Sequence, residues 1–302
     1  MPELSPSPER PAYTGRFAPS PTGELHQGSL LTAVVSYLDA RQHQGQWLVR
    51  MEDLDPPREQ PGAATAIIKS LEAHGLHWDG EILYQSQRLN AYAEVLEQFR
   101  EQSLTYRCNC NRQRIQSLGG IYDGHCRTAN IHTPPFATRL QVADKAITFT
   151  DIFQGHQQQN LAREVGDFVI HRKDGLFAYQ LAVSIDDIHQ GISHVIRGCD
   201  LLSSTPRQLW VFELLKSAPP QYGHLPVIVN REGQKLSKQT FAKPLENHLA
   251  AENLWQSLHY LGLNPPAELR HSNCHDILRW GEQHWCRSAI PAGTSIAEQA
   301  AQ

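Results

Sequence analysis

The passage that most constrains this chain is its opening. Tyr13 to Ala18 reads as a short strand, Pro19 to Gly23 as a turn-rich segment, and from Ser29 the pattern LLTAVVSYLDARQHQG is helical, with Gly45 as its stop. Trp47 to Met51 follows as a buried strand ending at Glu52 and Asp53. Two such strands joined by a helix imply a parallel α/β sheet, because parallel neighbours need a crossover of about a dozen residues or more.

Two amphipathic helices come next, about Gly62 to His74 and Arg88 to Gln102, separated by the Trp78-Asp79-Gly80 turn. From about Tyr106 to Asn160 the character changes to short strands, a cysteine cluster, Gly119-Gly120 and Pro134-Pro135, which marks an insertion. The alternation resumes with Phe168 to Arg172, a hairpin turn at Lys173-Asp174-Gly175, Phe177 to Gln180, then His194 to Gly198 and a helix around Pro206 to Leu215. Val227 to Asn230 leads into a late Lys-rich loop. The expected organisation is a Rossmann-like α/β domain split by a small inserted domain. Residues 1–12 are a flexible leader, 13–105 and 161–244 the two halves of the catalytic domain, 106–160 the insertion, 245–288 a short helical region and 289–302 a flexible tail.

With 27 Lys and Arg against 31 Asp and Glu, the net charge of -4 excludes an overall basic field, so any nucleic-acid contact must be local. No apolar run approaches the roughly 18 residues of a membrane span, and the polar, Pro-rich start lacks a signal-peptide core. A cytoplasmic enzyme without a membrane partner is expected. The six cysteines, three crowded and three scattered, do not form a secreted disulfide framework.

Two motifs carry phosphate chemistry. In Pro21 to Ser29 a strand hands over to a helix, where Gly28 allows close backbone approach and the helix N-terminus offers N–H groups to phosphate oxygens. His26 adds a donor for a triphosphate or for charge developing in the transition state, and Ser29 adds a hydroxyl. Far downstream, Lys235-Leu236-Ser237-Lys238-Gln239 sets two ammonium groups around the Ser237 hydroxyl, suited to clamping pyrophosphate as it leaves. Their order and distance put one phosphate grip on each side of an ATP.

Arg16 to Gly23 followed by Leu25 to Gly28 resembles the HIGH-signature region of glutamyl-tRNA synthetases, and Lys235 to Gln239 resembles their KMSKS loop. Arg50-Met51-Glu52-Asp53-Leu54-Asp55 with Arg58 resembles that family's RxEDTDxxR block. Ser29 stands in place of the second His, Leu236 in place of Met and Gln239 in place of the last Ser. Tyr84 to Arg88 and Ile115 to Arg127 are similar to the glutamyl-queuosine tRNA(Asp) synthetases, a truncated branch without the anticodon-binding half, and the chain's stop soon after the Lys235 loop accords with that branch. The resemblance implies activation of L-glutamate by ATP with Mg2+, and transfer to queuosine at the wobble position in the anticodon arm of tRNA(Asp). The alternative is a truncated glutamyl-tRNA synthetase that charges a tRNA 3′ end. A monomer is expected.

Cys108, Cys110 and Cys126 provide three thiolates toward one structural Zn2+ per chain, which needs one further donor to complete a tetrahedron. The resemblance implies Tyr122 as that donor; His125 is the more conventional one but adjoins Cys126, and three buried thiols without metal is the bland alternative. Glutamate recognition needs guanidinium groups for the side-chain carboxylate and a carboxylate or hydroxyl for the α-ammonium. Arg16, Ser20, Glu52, Tyr179 and Arg197 occupy the matching motif positions. Asp186-Asp187 carries no assigned role.

Overall fold

The computed structural model describes residues 12–230, 233–235 and 243–297. The opening unit forms as the pattern requires: β1 (Thr14–Phe17), α1 (Gln27–Gln42) and β2 (Gln46–Met51), with α2 (Ala63–Ala73) and a short β3 (Leu83–Tyr84) after it. Helix α1 is buried nearly all round from Leu30 to Ala40, as a helix covered on both sides should be. Gly45 serves a different purpose from the one expected. Gln44, with φ of 53°, takes the left-handed position after α1, while a Cβ on Gly45 would meet the carbonyl oxygen of Tyr13 at 2.5 Å.

Helix α3 (Leu89–Glu101) leads into the insertion, which comprises β4 (Thr105–Cys108), α4 (Arg112–Ser117), β5 (Ala137–Leu140), β6 (Ala146–Asp151) and β7 (Gly155–Asn160), followed by α5 (Leu161–Glu164). Next come β8 (Phe168–His171), α6 (Tyr179–Gln190), β9 (His194–Gly198), α7 (Thr205–Leu214), β10 (Gln221–Leu225) and β11 (Val227–Val229). The described chain ends with α8 (Ala250–Tyr260), α9 (Cys274–His284) and β12 (Ser295–Ala297).

The main sheet runs β10-β9-β1-β2-β3, all parallel. Because side chains alternate between faces, one face presents Phe17, Trp47, Val49, Met51, Ile196 and Leu225 to a core shared with α1, α8 and α9. The opposite face carries Arg16, Arg50, Arg197 and His224, all buried beneath α6 and its neighbours. A second core joins α3, α6 and α7 to β5 and β8.

Three expectations need correction. Strand β8 does not return to the parallel sheet; it pairs antiparallel with β5, which pairs with β4, so the insertion's sheet extends past residue 160. The hairpin turn after β8 exists, but of Phe177 to Gln180 only Phe177 bridges back, to His171, and Tyr179 opens α6. Within the expected flexible tail, Ser295–Ala297 pairs in register with Val227–Val229. No helix among the described residues is long and apolar enough to cross a membrane.

Candidate active site and metal centre

Ligands of open parallel sheets bind beyond the carboxyl ends of the strands, and there the expected residues gather. Arg16 lies near the end of β1, Arg197 near the end of β9, Glu52 just past β2 and Tyr179 at the first turn of α6. The two arginines are 3% and 4% exposed, which makes their partners decisive.

Asp187 on α6 accepts from Arg16 Nε at 3.2 Å and from Arg50 Nη2 at 2.7 Å. Burial alone would raise its carboxyl, but the two guanidinium groups hold it below the ordinary carboxylate range. Arg16 spends only Nε on that contact; among the described residues its terminal nitrogens make no hydrogen bond. Asp186 accepts from Gln85 Nε2, Arg88 Nε and Tyr92 Oη at 2.6 to 2.7 Å, locking α3 and the turn before it to α6. The sequence alone left the pair without a role, although two adjacent carboxylates inside the apolar run LAVSIDDI signal buried cationic partners.

Arg197 is held differently. Its Nε donates to His224 Nε2 at 2.9 Å, Nη1 to the Tyr179 hydroxyl at 3.3 Å, and Nη2 to Thr205 Oγ1 at 2.8 Å and the Leu201 carbonyl at 3.4 Å. None of these partners is a carboxylate. A buried guanidinium held by neutral groups is a seat for an incoming anion. Glu52 provides the complement: its Oε1 is buried without a hydrogen bond, 3.5 Å from Arg50 Nη2, and burial raises its carboxyl despite nearby Arg50 and Arg16. Ser20 lies on the exposed turn, whose neighbour Pro19 accepts the Glu52 N–H at 2.9 Å and so ties this loop to the segment after β2.

At the start of α1, where a phosphate grip is expected, His26 is the N-cap, Nδ1 accepting the Ser29 N–H at 3.3 Å and Nε2 lying 3.1 Å from Ser29 Oγ. With Nδ1 accepting, the proton of the neutral ring sits on Nε2. Gly28 is the second residue of the helix. Lys235 Nζ meets Asp200 at 2.6 Å, just past β9. Leu236, Ser237, Lys238 and Gln239 lie outside the described residues.

In the insertion, the Sγ atoms of Cys108, Cys110 and Cys126 lie within 4.8 Å of one another. The Tyr122 hydroxyl stands 3.6 Å from Cys108 Sγ and accepts the Cys126 N–H at 2.9 Å. His125 is exposed and its ring is outside the cluster. Burial pushes the Cys110 thiol up to about 11, with Cys126 and Cys108 adding to the rise; burial also raises Cys108, but Arg139 donating to its sulfur at 3.2 Å helps bring it down to about 7. Three sulfurs crowded this way repel as thiolates, and a divalent cation among them relieves that, so the donor set fits zinc.

The family model for tRNA synthetases class I (E and Q), catalytic domain, matches residues 13–253. The chain belongs to that family. A protein of Pseudomonas aeruginosa named Glutamyl-Q tRNA(Asp) synthetase is 50% identical over 288 residues, spanning 95% of this chain and 98% of its own. One of the same name from Colwellia psychrerythraea is 48% identical over 94% of each chain. Among solved structures, a glutamate tRNA ligase from Elizabethkingia meningosepticum in complex with its amino acid superposes with a TM-score of 0.78 at 24% identity, over 95% of this chain and 67% of that one. Glutamate-tRNA synthetase from Elizabethkingia anophelis gives 0.79 at 23%, over 95% and 68%. At that identity the likeness is one of fold, the class I synthetase catalytic fold, and the family makes the chain a synthetase-type ligase.

Proposed function

We propose that the chain activates L-glutamate with ATP and transfers the glutamyl group to queuosine at the wobble position of tRNA(Asp). The observation that carries this is near-half identity, over almost the whole of both chains, to proteins named Glutamyl-Q tRNA(Asp) synthetase. The site agrees with the amino acid: Arg197 lacks an anionic partner, Arg16 has terminal nitrogens to spare, and Glu52 has an unbonded carboxylate oxygen. In this reading Arg16 and Arg197, with Tyr179, receive the glutamate side-chain carboxylate, while Glu52 and Ser20 receive the α-ammonium.

Adenylation requires positioning more than proton transfer, because the α-carboxylate is already a nucleophile. A carboxylate oxygen attacks the α-phosphorus of ATP and the bond to pyrophosphate breaks. His26, Gly28 and Ser29 at the start of α1 hold the phosphates from one side, and Lys235, Ser237 and Lys238 hold them from the other. Mg2+ bound with ATP supplies further neutralisation of phosphate charge. A diol hydroxyl of queuosine then attacks the activated carbonyl, the bond from that carbon to the phosphate oxygen breaks, and the ester forms as AMP leaves and the hydroxyl proton passes to solvent. Cys108, Cys110 and Cys126, with Tyr122, would hold a structural zinc, which would tie the insertion together.

The test uses labelled glutamate, ATP and tRNA(Asp) from cells able or unable to make queuosine, intact or trimmed enzymatically at the 3′ end. Label on trimmed, queuosine-containing tRNA and none on the unmodified form is expected. Label that vanishes with the terminal adenosine would establish charging of a 3′ end instead.

A further inference from the structure

The β6–β7 hairpin belongs to the insertion, yet through one histidine it connects to Arg197 in the candidate site. Asp151, the last residue of β6 and 2% exposed, accepts His224 Nδ1–H at 2.5 Å through Oδ2. Its Oδ1 accepts the backbone N–H groups of Phe153, Gln154 and His224 at 2.9 to 3.0 Å. His224 is wholly buried on β10, directly opposite Arg197 on β9 in the parallel register.

We propose that Asp151 and His224 act as a positioning relay that sets the Arg197 guanidinium for the substrate carboxylate, which makes the inserted hairpin part of the amino-acid site. The proposal rests on the glutamate reading above. Its physical core is the tautomer. Asp151, with three backbone N–H groups on Oδ1, remains a carboxylate and can only accept, so the imidazole must carry its proton on Nδ1. That leaves a lone pair on Nε2, aimed at Arg197 Nε–H. Thr205, whose Oγ1 accepts from Arg197 Nη2, has its own proton available for the same Nε2 at 3.2 Å. Burial, foremost, keeps the ring neutral by lowering its pKa, and the hydrogen bond to His224 keeps Asp151 charged against the opposing effect of burial. Each donor in the chain thus faces an acceptor, and the guanidinium has one orientation available.

Replacing Asp151 by Asn changes no volume but reverses the relay. The amide oxygen can keep the backbone contacts, and the amide N–H then faces Nδ1, so the ring moves its proton to Nε2 and points it at Arg197 Nε–H. D151N should raise the KM for glutamate in ATP–pyrophosphate exchange about ten-fold. The kcat and the KM for ATP should stay within about two-fold, since no group touching ATP is altered. Imidazole 15N resonances should show His224 as the Nδ1–H form in the wild type and the Nε2–H form in D151N. H224Q, whose Oε1 can still accept from Arg197, should raise the glutamate KM less than H224L does. D151N combined with H224Q should be no worse than H224Q alone, because no tautomer remains to switch. A flipped tautomer with unchanged glutamate KM, or additive losses in the double variant, overturns the relay. Should D151N fail to fold, equal KM values for H224Q and H224L overturn it as well. A wild type inactive with glutamate defeats the reading of the site; an active wild type with an indifferent D151N defeats the relay alone.

Discussion

Arg197 makes four hydrogen bonds in a planar fork to His224, Tyr179, Thr205 and a carbonyl, and lysine can reproduce neither that fork nor its anchoring. R197K should therefore raise the KM for glutamate roughly thirty-fold, about 2 kcal/mol, with the KM for ATP little moved, as read by ATP–pyrophosphate exchange. A second residue reports on pH. The His194 ring stacks on Tyr13 with centroids 3.9 Å apart, and burial, helped by the Arg287 cation, pushes its pKa down to about 4. The unfolded chain binds that proton near pH 6.5, so the stabilisation is complete above about pH 6.5 and is lost as pH falls toward 4. Because the ring is partly exposed, the fall between pH 7 and 5 should be about 1 kcal/mol, measured by urea unfolding. H194N should remove that share of it. At this scale the motif residues were legible because each sits in a short ordered block. Asp151, Asp187, Thr205 and His224 were not, since each acts through a partner far along the chain that only the fold brings near.

The cysteine-bearing insertion should hold close to one zinc per chain. Measured metal content should fall to near zero in C126S, decrease in Y122F and stay unchanged in H125A, following the placement of the Tyr122 hydroxyl at Cys108 and of the His125 ring outside the cluster. Gly166 supports this element from α5's end. It has a φ of +73°, and a Cβ there would sit 2.0 Å from the Tyr122 carbonyl oxygen. G166A should accordingly destabilise the insertion by more than about 2 kcal/mol and weaken zinc retention, where a strain-free Gly to Ala change would stabilise. The cysteine spacing announced the element, but its edge was hidden. Phe168 to His171 is a short apolar run that fits any buried strand, and nothing local says whether it joins a parallel or an antiparallel neighbour.

Across the whole molecule, one fully buried carboxylate ties the beginning of the described chain to its end. Asp39 in α1 accepts from Tyr13 Oη at 2.6 Å, Trp285 Nε1 at 2.9 Å, and Arg287 Nε and Nη2 at 2.8 Å each. Arg287 brings the compensating charge, and R287A should destabilise the protein by about 2 to 3 kcal/mol in urea unfolding, because it leaves the Asp39 charge buried with only neutral donors. The parallel α/β architecture was readable from alternation alone, whereas this closure was not, since an Asp in the middle of a helical pattern looks like any solvated position. The other closure is the parallel pairing of β12 with β11. Strand β11 runs directly toward the Lys235 loop, and its last residue, Val229, bridges to Lys235 itself. Tension applied along the C-terminal segment therefore loads this two-strand ladder in shear, and the backbone that receives the load is the stem of the lysine loop. A chain tethered to a surface by that end would carry its mechanical strain into the side of the molecule proposed to grip phosphate.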